Sequence, residues 1–171
     1  VKTRFLRGIG RHKVSTWFNE KSKSGGGGLI DIGVHMLDLA LWFADNFNVI
    51  SVYASTYNKF KCGDVEDIAT ALIRLDNGVT ISLEAVWESF RHIEAKSYLV
   101  FFGTEGGAET DPLRIYKDKR GETVEIRPLI RPVPGLGACD GEISHFIECI
   151  KERKEPDSSP AQGIKMMKIL E

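Results

Sequence analysis

The chain switches between two periodicities of apolar residues. From Leu29 to Phe43 nearly every position is apolar, glycine or alanine. The polar exceptions in this range are Asp31, His35 and Asp38, and at helical spacing they form a narrow stripe with Trp42 and Asp45. The pattern predicts a helix that is buried on most of its circumference, carries one polar seam and ends near the sequence ADNFN.

After this helix, apolar and polar residues alternate, as is typical of strands with one buried face. We predict strands at 49–60, 66–75, 79–89, 96–103, 113–118 and 122–127. Asn77-Gly78 predicts a hairpin turn whose two central residues both have positive φ. Residues 119–121 are predicted to turn the last pair of strands.

A Pro/Gly-rich connector at 127–140 leads to two further predicted helices. Asp140 is the predicted cap of the first helix, whose apolar face consists of Ile143, Phe146, Ile147 and Ile150. The second is predicted to have Ser159 as its N-cap and Pro160 as its first residue. One helix, about six strands and two helices predict a single α+β domain over 1–171, with a largely antiparallel sheet and helices on one face.

Composition excludes several classes of protein. The 171 residues are 42% hydrophobic and 27% charged, which are ordinary globular values. A formal net charge of −1 gives no reason to expect nucleic acid or an anionic membrane as a partner. Leu29–Phe43 is shorter than the roughly 20 apolar residues of a membrane span and holds three ionisable groups. Cys62, Cys139 and Cys149 lack zinc-ligand spacing, which favours reduced thiols and a cytoplasmic protein.

The run Gly25–Gly28 precedes the polar-seamed helix and is not a phosphate-binding loop. A P-loop needs Lys and Ser or Thr after its glycines, whereas Lys23 and Ser24 come before them. The sequences GIGRH (8–12) and GLGACDG (135–141) also lack the G-x-G-x-x-G dinucleotide fingerprint. We expect the run to form a helix start, with free N–H groups, that another backbone or a ligand can approach closely.

Asp31 and His35 are the candidate catalytic residues. They lie one helical turn apart, so a hydrogen bond between them would orient the imidazole for proton transfer near neutral pH. The alternative is a hydrogen-bonded core histidine, and a metal site lacks a third ligand. Lys23 is a weaker candidate for contact with substrate or phosphate, against a solvated loop lysine. Trp87 is a candidate wall of the pocket, against simple core packing.

The sequence SGGGGLIDIGVHMLDLALWF resembles the signature of the second domain of the glucose-fructose oxidoreductase / inositol dehydrogenase / MocA (Gfo/Idh/MocA) family. The signature reads approximately GGG-x-L-x-D-x-G-x-H-x-x-D-L, and its polar positions match Asp31, His35 and Asp38. RFLRGIG, VEDIATALIRLDNGVTISLEAVW and HFIECIKERKEPDSSPAQGIKMMKIL are similar to other blocks of the same domain. The resemblance therefore covers most of the chain.

The resemblance implies an NAD(P)-dependent oxidoreductase that acts on a hydroxyl of a sugar, inositol or related polyol, without a metal. It implies that His35 is the acid/base, that Asp31 binds substrate or His35, and that the open face of the sheet joins copies in a homo-oligomer. It also implies a preceding Rossmann domain that binds NAD or NADP and supplies a lysine. Because the chain begins at Val1 and stops inside a predicted helix, we expect a fragment that is inactive alone. The alternatives are a non-catalytic oligomerisation or regulatory module and an NAD-dependent glycosidase.

Overall fold

A computed structural model describes residues 1–7, 17–60, 63–88, 96–129 and 139–171. The strands are β1 (Lys2–Leu6), β2 (Val49–Tyr57), β3 (Ile68–Leu75), β4 (Thr80–Val86), β5 (Lys96–Phe102), β6 (Gly106–Thr110), β7 (Leu113–Lys119) and β8 (Glu122–Ile126). The helices are α1 (Lys21–Ser24), α2 (Val34–Phe43), α3 (Asp140–Glu152) and α4 (Pro160–Leu170). A 3-10 turn occupies Trp17–Asn19, and a π-helical turn, Leu29–Gly33, leads directly into α2.

The eight strands form one sheet in the order β2-β3-β4-β1-β5-β6-β7-β8. Their pairings are antiparallel, except that β1 and β4 run parallel. The predicted α+β class and the largely antiparallel sheet are confirmed. The predicted order was incomplete, because β1 and β6 were not recognised and the chain therefore opens with a strand rather than a helix.

The main core lies between the sheet and α2. Leu37 and Leu41 of α2 pack with alternate strand residues that point to the same face, including Ile73, Ile81 and Leu83. Side chains at intervening positions point to the opposite face, in keeping with the period of two along a strand. Several large apolar residues on that opposite face are therefore solvent-exposed, namely Tyr53, Leu72 and Phe102.

The two predicted hairpin turns differ in geometry. At Asn77-Gly78 only Gly78 has positive φ, at 86°, so the prediction for Asn77 was wrong. The loop is longer than two residues, because its closing hydrogen bond runs from the Leu75 N–H to the Val79 carbonyl. Between β7 and β8, by contrast, Arg120 and Gly121 both have positive φ, at 62° and 84°.

The two C-terminal helices begin close to the predicted positions. Ser159 caps α4 by accepting a hydrogen bond from the backbone of Gln162, whose side chain accepts from the Ser159 backbone, and Pro160 is the first residue. The N-cap of α3 is Cys139 rather than Asp140, which is the first helical residue. The predicted apolar face of α3 exists but is exposed.

The stretch Lys21–Phe43 is long and apolar enough, by length and composition, to cross a membrane. Helices in the core of folded domains meet the same criterion. Here the inner face of α2 packs on the strands, which is the arrangement of a core helix. Cys139 and Cys149 are free thiols, whereas Cys62 lies outside the described residues.

Candidate active site

The glycine run starts the π-helical turn against a neighbouring backbone. A Cβ atom on Gly27 would lie 1.9 Å from the carbonyl oxygen of Glu66, so only glycine fits there. The Glu66 carbonyl accepts from the Gly28 N–H at 2.8 Å, and its carboxylate accepts from Gly27 and Leu29, each at 2.9 Å. The predicted close approach is confirmed, but the N–H groups expected to be free are bonded to Glu66.

Two further glycines bring the helical segment close to the sheet. A Cβ atom on Gly28 would lie 3.3 Å from the indole of Trp87. One on Gly33 would lie 3.2 Å from the Cβ of Ala85 on β4. These short distances show that the π-helical turn, which contains Asp31, packs closely against the end of β4.

The two central parallel strands, β1 and β4, have their C-terminal ends beneath this turn. Leu6 and Val86 are partners in the register, and Arg7, which follows β1, donates its backbone N–H to the Val86 carbonyl at 2.9 Å. Trp87 follows β4 directly. Residues that follow two neighbouring parallel strands emerge together, so Arg7 and Trp87 both reach the turn that carries Asp31.

The Asp31 carboxylate is held by these two side chains. Its Oδ2 accepts from Arg7 Nη1 at 3.1 Å and from the indole N–H of Trp87 at 2.7 Å. Within the described residues no hydrogen bond joins Asp31 to His35, so the predicted contact between them is not made. The charged guanidinium of Arg7 and the indole of Trp87, which follow β1 and β4, donate to the carboxylate instead.

His35 lies one turn further along the helix, with an exposed side chain. Its electrostatic neighbour is Asp38, which is half-buried. Burial raises the pKa of the Asp38 carboxyl above its usual value, and the nearby His35 acts in the opposite direction. The polar seam therefore presents an accessible imidazole with one carboxylate on either side along the helix.

The two weaker candidates, Lys23 and Trp87, contact other groups of the protein. The ammonium of Lys23 is exposed and lies 2.7 Å from the carboxylate of Glu20, as a solvated lysine would. Trp87 has no exposed surface and packs in a small core cluster with Ile32, Val65 and Ala85. Its indole N–H nevertheless donates to Asp31 and so links this core cluster to the candidate site.

Sequence reasoning missed Arg7, Glu66 and Asp67. Asp67 is fully buried and accepts backbone hydrogen bonds from Lys59 at 3.1 Å and Phe60 at 2.5 Å. The signal that points to Glu66 and Asp67 is a pair of adjacent carboxylates directly before an apolar strand, where one of them must be buried. Arg7 gives no comparable local signal.

The described residues offer no phosphate cradle of their own at the glycine run, because Glu66 already binds the N–H groups of Gly27, Gly28 and Leu29. Among the same described residues, no group of three or more His, Cys, Asp or Glu side chains is arranged to hold a metal ion.

The sequence matches known proteins over much of its length. A family profile described as the GFO/IDH/MocA C-terminal domain matches residues 1–109. D-glucoside 3-dehydrogenase from Escherichia coli (strain K12) is 32% identical over 136 residues, which cover 70% of this chain and 39% of that protein. The chain belongs to the Gfo/Idh/MocA family of oxidoreductases, as the motif around Asp31 and His35 predicts.

Solved structures share the fold. The crystal structure of an oxidoreductase domain protein from Kribbella flavida aligns with a TM-score of 0.85 at 20% identity, covering 99% of this chain and 53% of that one. Levoglucosan dehydrogenase in complex with NADH and levoglucosan aligns with a TM-score of 0.78 at 23% identity, covering 99% and 53%. The chain thus spans about half the length of the solved chains that it matches.

Proposed function

We propose that this chain is the substrate-binding and catalytic half of an NAD(P)-dependent oxidoreductase that oxidises a hydroxyl of a sugar, inositol or related polyol, or reduces the corresponding ketone. The observation that carries the proposal is the exposed imidazole of His35 one turn after Asp31, on a helix held rigidly by Glu66 and by the sheet edge. The names of the relatives, which include a glucoside and a levoglucosan dehydrogenase, support a sugar as the substrate class.

His35 is the acid/base in this proposal. A ring hydroxyl of the substrate donates its proton to the imidazole while the carbon is oxidised, and the reverse reaction returns the proton. An exposed imidazole can exchange this proton with water after each turnover. The half-buried carboxyl of Asp38 lies close enough to His35 to interact electrostatically with the imidazolium that forms.

In this proposal the Asp31 carboxylate binds the substrate and makes no hydrogen bond to His35. Both hydrogen bonds that it accepts in the described structure end at Oδ2, from Arg7 and Trp87. Oδ1 is therefore the oxygen to which a second hydroxyl of the substrate can donate. A hydroxyl bound at Asp31 and another at His35 would fix a polyol ring in one orientation, which suits oxidation at a defined carbon.

The nicotinamide, when bound, supplies the acceptor or donor of the hydride. We infer that a dinucleotide-binding domain holds it, because Glu66 fills the helix start that a phosphate would need. This chain would contribute substrate binding and proton transfer, and would be inactive without that domain. We also propose a cytoplasmic location, on the ground that the sequence has three widely spaced cysteines.

The role of His35 can be tested in a protein that joins this chain to its dinucleotide-binding domain. We expect His35→Ala to lower kcat/KM for oxidation of a sugar by roughly 10²–10⁴-fold, the usual contribution of a positioned acid/base. The assay follows NADH or NADPH formation with a panel of sugars and inositols.

His145→Gln is the matched control, because His145 lies on α3 and accepts a backbone hydrogen bond from Asp157 at 3.1 Å, which glutamine can also do. It should change kcat/KM by less than about threefold. If His35→Ala also stays within about threefold, His35 is not the acid/base. Release of free sugar without net reduction of the cofactor would instead identify a glycosidase.

We further propose that the sheet face opposite α2 joins copies of the chain in a homo-oligomer. Tyr53 and Phe102 are 77% and 78% exposed on that face, and Leu72 beside Tyr53 is 52% exposed. Large exposed apolar side chains that adjoin one another, as Tyr53 and Leu72 do, are typical of protein interfaces. This use of the face leaves the helical side of the sheet, with His35 and Asp31, free for substrate.

A further inference from the structure

We propose that Arg7 and Trp87 are positioning residues that fix the Asp31 carboxylate by its Oδ2 and so present Oδ1 to the substrate. The inference rests on the proposed function, in which Asp31 binds a substrate hydroxyl. It assigns a role to two residues that follow different strands and that lie on neither the helix nor the turn that carries the candidate catalytic pair.

The two donors converge on one oxygen from fixed directions. The indole of Trp87 is fully buried and packs on Gly28, and its backbone N–H donates to the Asp67 carbonyl at 2.8 Å. The guanidinium of Arg7 lies over the ring of Phe5, with 5.3 Å between its central carbon and the ring centroid. Because the indole is anchored by packing and by the backbone, Asp31 cannot rotate without losing the 2.7 Å bond.

These bonds also decide which partner Asp31 takes. A carboxylate and an imidazole one helical turn apart are natural hydrogen-bond partners, and His35 would otherwise be the nearest such group along the helix. Arg7 contributes a charge-assisted bond at 3.1 Å and Trp87 a second bond to the same atom. The Asp31 carboxylate therefore remains hydrogen-bonded to Arg7 and Trp87, which leaves the imidazole of His35 available to the substrate.

Trp87→Phe removes the indole N–H donor and keeps a smaller aromatic ring in the core. In the protein that carries the dinucleotide-binding domain, we expect kcat/KM to fall roughly tenfold or more, the effect of losing a hydrogen bond to a charged group. Trp17→Phe is the matched control, because Trp17 is exposed, lies outside the helix that carries His35, and stacks on Phe18. It should leave kcat/KM unchanged.

A double-mutant cycle separates positioning from simple packing. If Trp87 acts through Asp31, adding Trp87→Phe to Asp31→Ala should cause little further loss of kcat/KM. Equal losses in both backgrounds would overturn the inference, because they would mean that Trp87 acts on the fold alone. If Asp31→Ala itself leaves kcat/KM unchanged, the proposed function of Asp31 fails, which is a distinct result.

Two further measurements keep the inference testable if Trp87→Phe does not fold. Arg7→Lys keeps the charge of a partly exposed residue but loses the planar donor, and it should show the same non-additivity with Asp31→Ala. In NMR spectra of the 171-residue chain, the indole N–H signal of Trp87 should shift in Asp31→Asn, while those of the exposed Trp17 and Trp42 should not. An unshifted Trp87 signal would contradict the hydrogen bond itself.

Discussion

The surroundings of Asp38 disfavour the ionised form of its carboxyl. The carboxyl is half-buried, its pKa is raised by burial, and His35 offsets only part of this effect. A carboxyl whose pKa is higher in the folded than in the unfolded state favours folding when it is protonated, and this contribution is lost as the pH rises through the folded pKa. Ionised Asp38 therefore weakens the folded state at neutral pH.

Asp38→Asn should accordingly raise the free energy of unfolding at neutral pH, because the neutral amide avoids the cost of burying a charge. The gain over the parent chain should shrink and vanish as the pH falls below the carboxyl's unfolded pKa. Urea unfolding at several pH values measures it. Glu105→Gln is the control, because Glu105 is exposed and its replacement removes a carboxylate without relieving a cost of burial. A pH-independent effect of Asp38→Asn would refute the argument.

The sequence predicts those residues of the candidate site that lie close together in one segment. Asp31 and His35 are recognisable because they lie four residues apart in one apolar segment, of which the π-helical turn holds Asp31 and α2 holds His35. Arg7 and Glu66 were missed because they reach this helix from the ends of strands, 24 and 37 residues away along the chain. A contact of that kind depends on the register of the sheet, which no local pattern encodes.

The start of the π-helical turn depends on glycine for reasons of space. Gly27 faces the Glu66 carbonyl, with 1.9 Å left for any Cβ atom, and the Glu66 carboxylate bridges Gly27 and Leu29. A carboxylate at a helix N-terminus also interacts favourably with the helix dipole. This close contact, together with those at Gly28 and Gly33, sets the position of Asp31 and His35 relative to the sheet.

Gly27→Ala should destabilise the chain by about 1–3 kcal/mol, because the new methyl group must displace a backbone carbonyl. Gly163→Ala is the matched comparison, since Gly163 lies within α4 and a Cβ atom added there would meet no other atom within 4 Å. It should instead stabilise the chain by up to about 1 kcal/mol. Urea unfolding of both variants decides the point, and equal effects would show that the close approach at Gly27 is absent.

Elements with a local signal were predicted and elements without one were not. The strands around Asn77-Gly78 follow from alternation and a turn signal, and α4 follows from Ser159 and Pro160. β1 is short and pairs with β4 and β5 far along the chain, while β6 begins Gly-Gly-Ala, a poor strand sequence. Both strands exist because neighbouring strands supply their hydrogen bonds.

Across the whole molecule, the two faces of the sheet have different surfaces. One face is covered by α2 and by residues of α4, and the candidate site lies where this layer meets the ends of β1 and β4. The other face has no helix of the described residues packed on its exposed apolar side chains, Tyr53, Leu72 and Phe102. The helical face thus suits the chemistry, and the proposed oligomer would cover the other.

If the open face joins copies of the chain, replacing its apolar side chains should dissociate them. Tyr53 and Leu72 are direct neighbours on β2 and β3, so Tyr53→Ser with Leu72→Ser removes a continuous apolar patch. Sedimentation velocity should show an oligomer for the parent chain and a smaller species for this double variant. The fold should survive, because both side chains point away from the core that Ile73 and Leu75 form.

Ile143→Ser is the matched control for this experiment. Ile143 is exposed and apolar like Leu72, but it lies on α3 rather than on the sheet. Its replacement should leave the sedimentation coefficient unchanged, because the loss of a single exposed apolar side chain does not by itself dissociate an interface elsewhere. A parent chain that sediments as a monomer at every concentration, or an oligomer that the sheet variant leaves intact, would show that this face does not join copies.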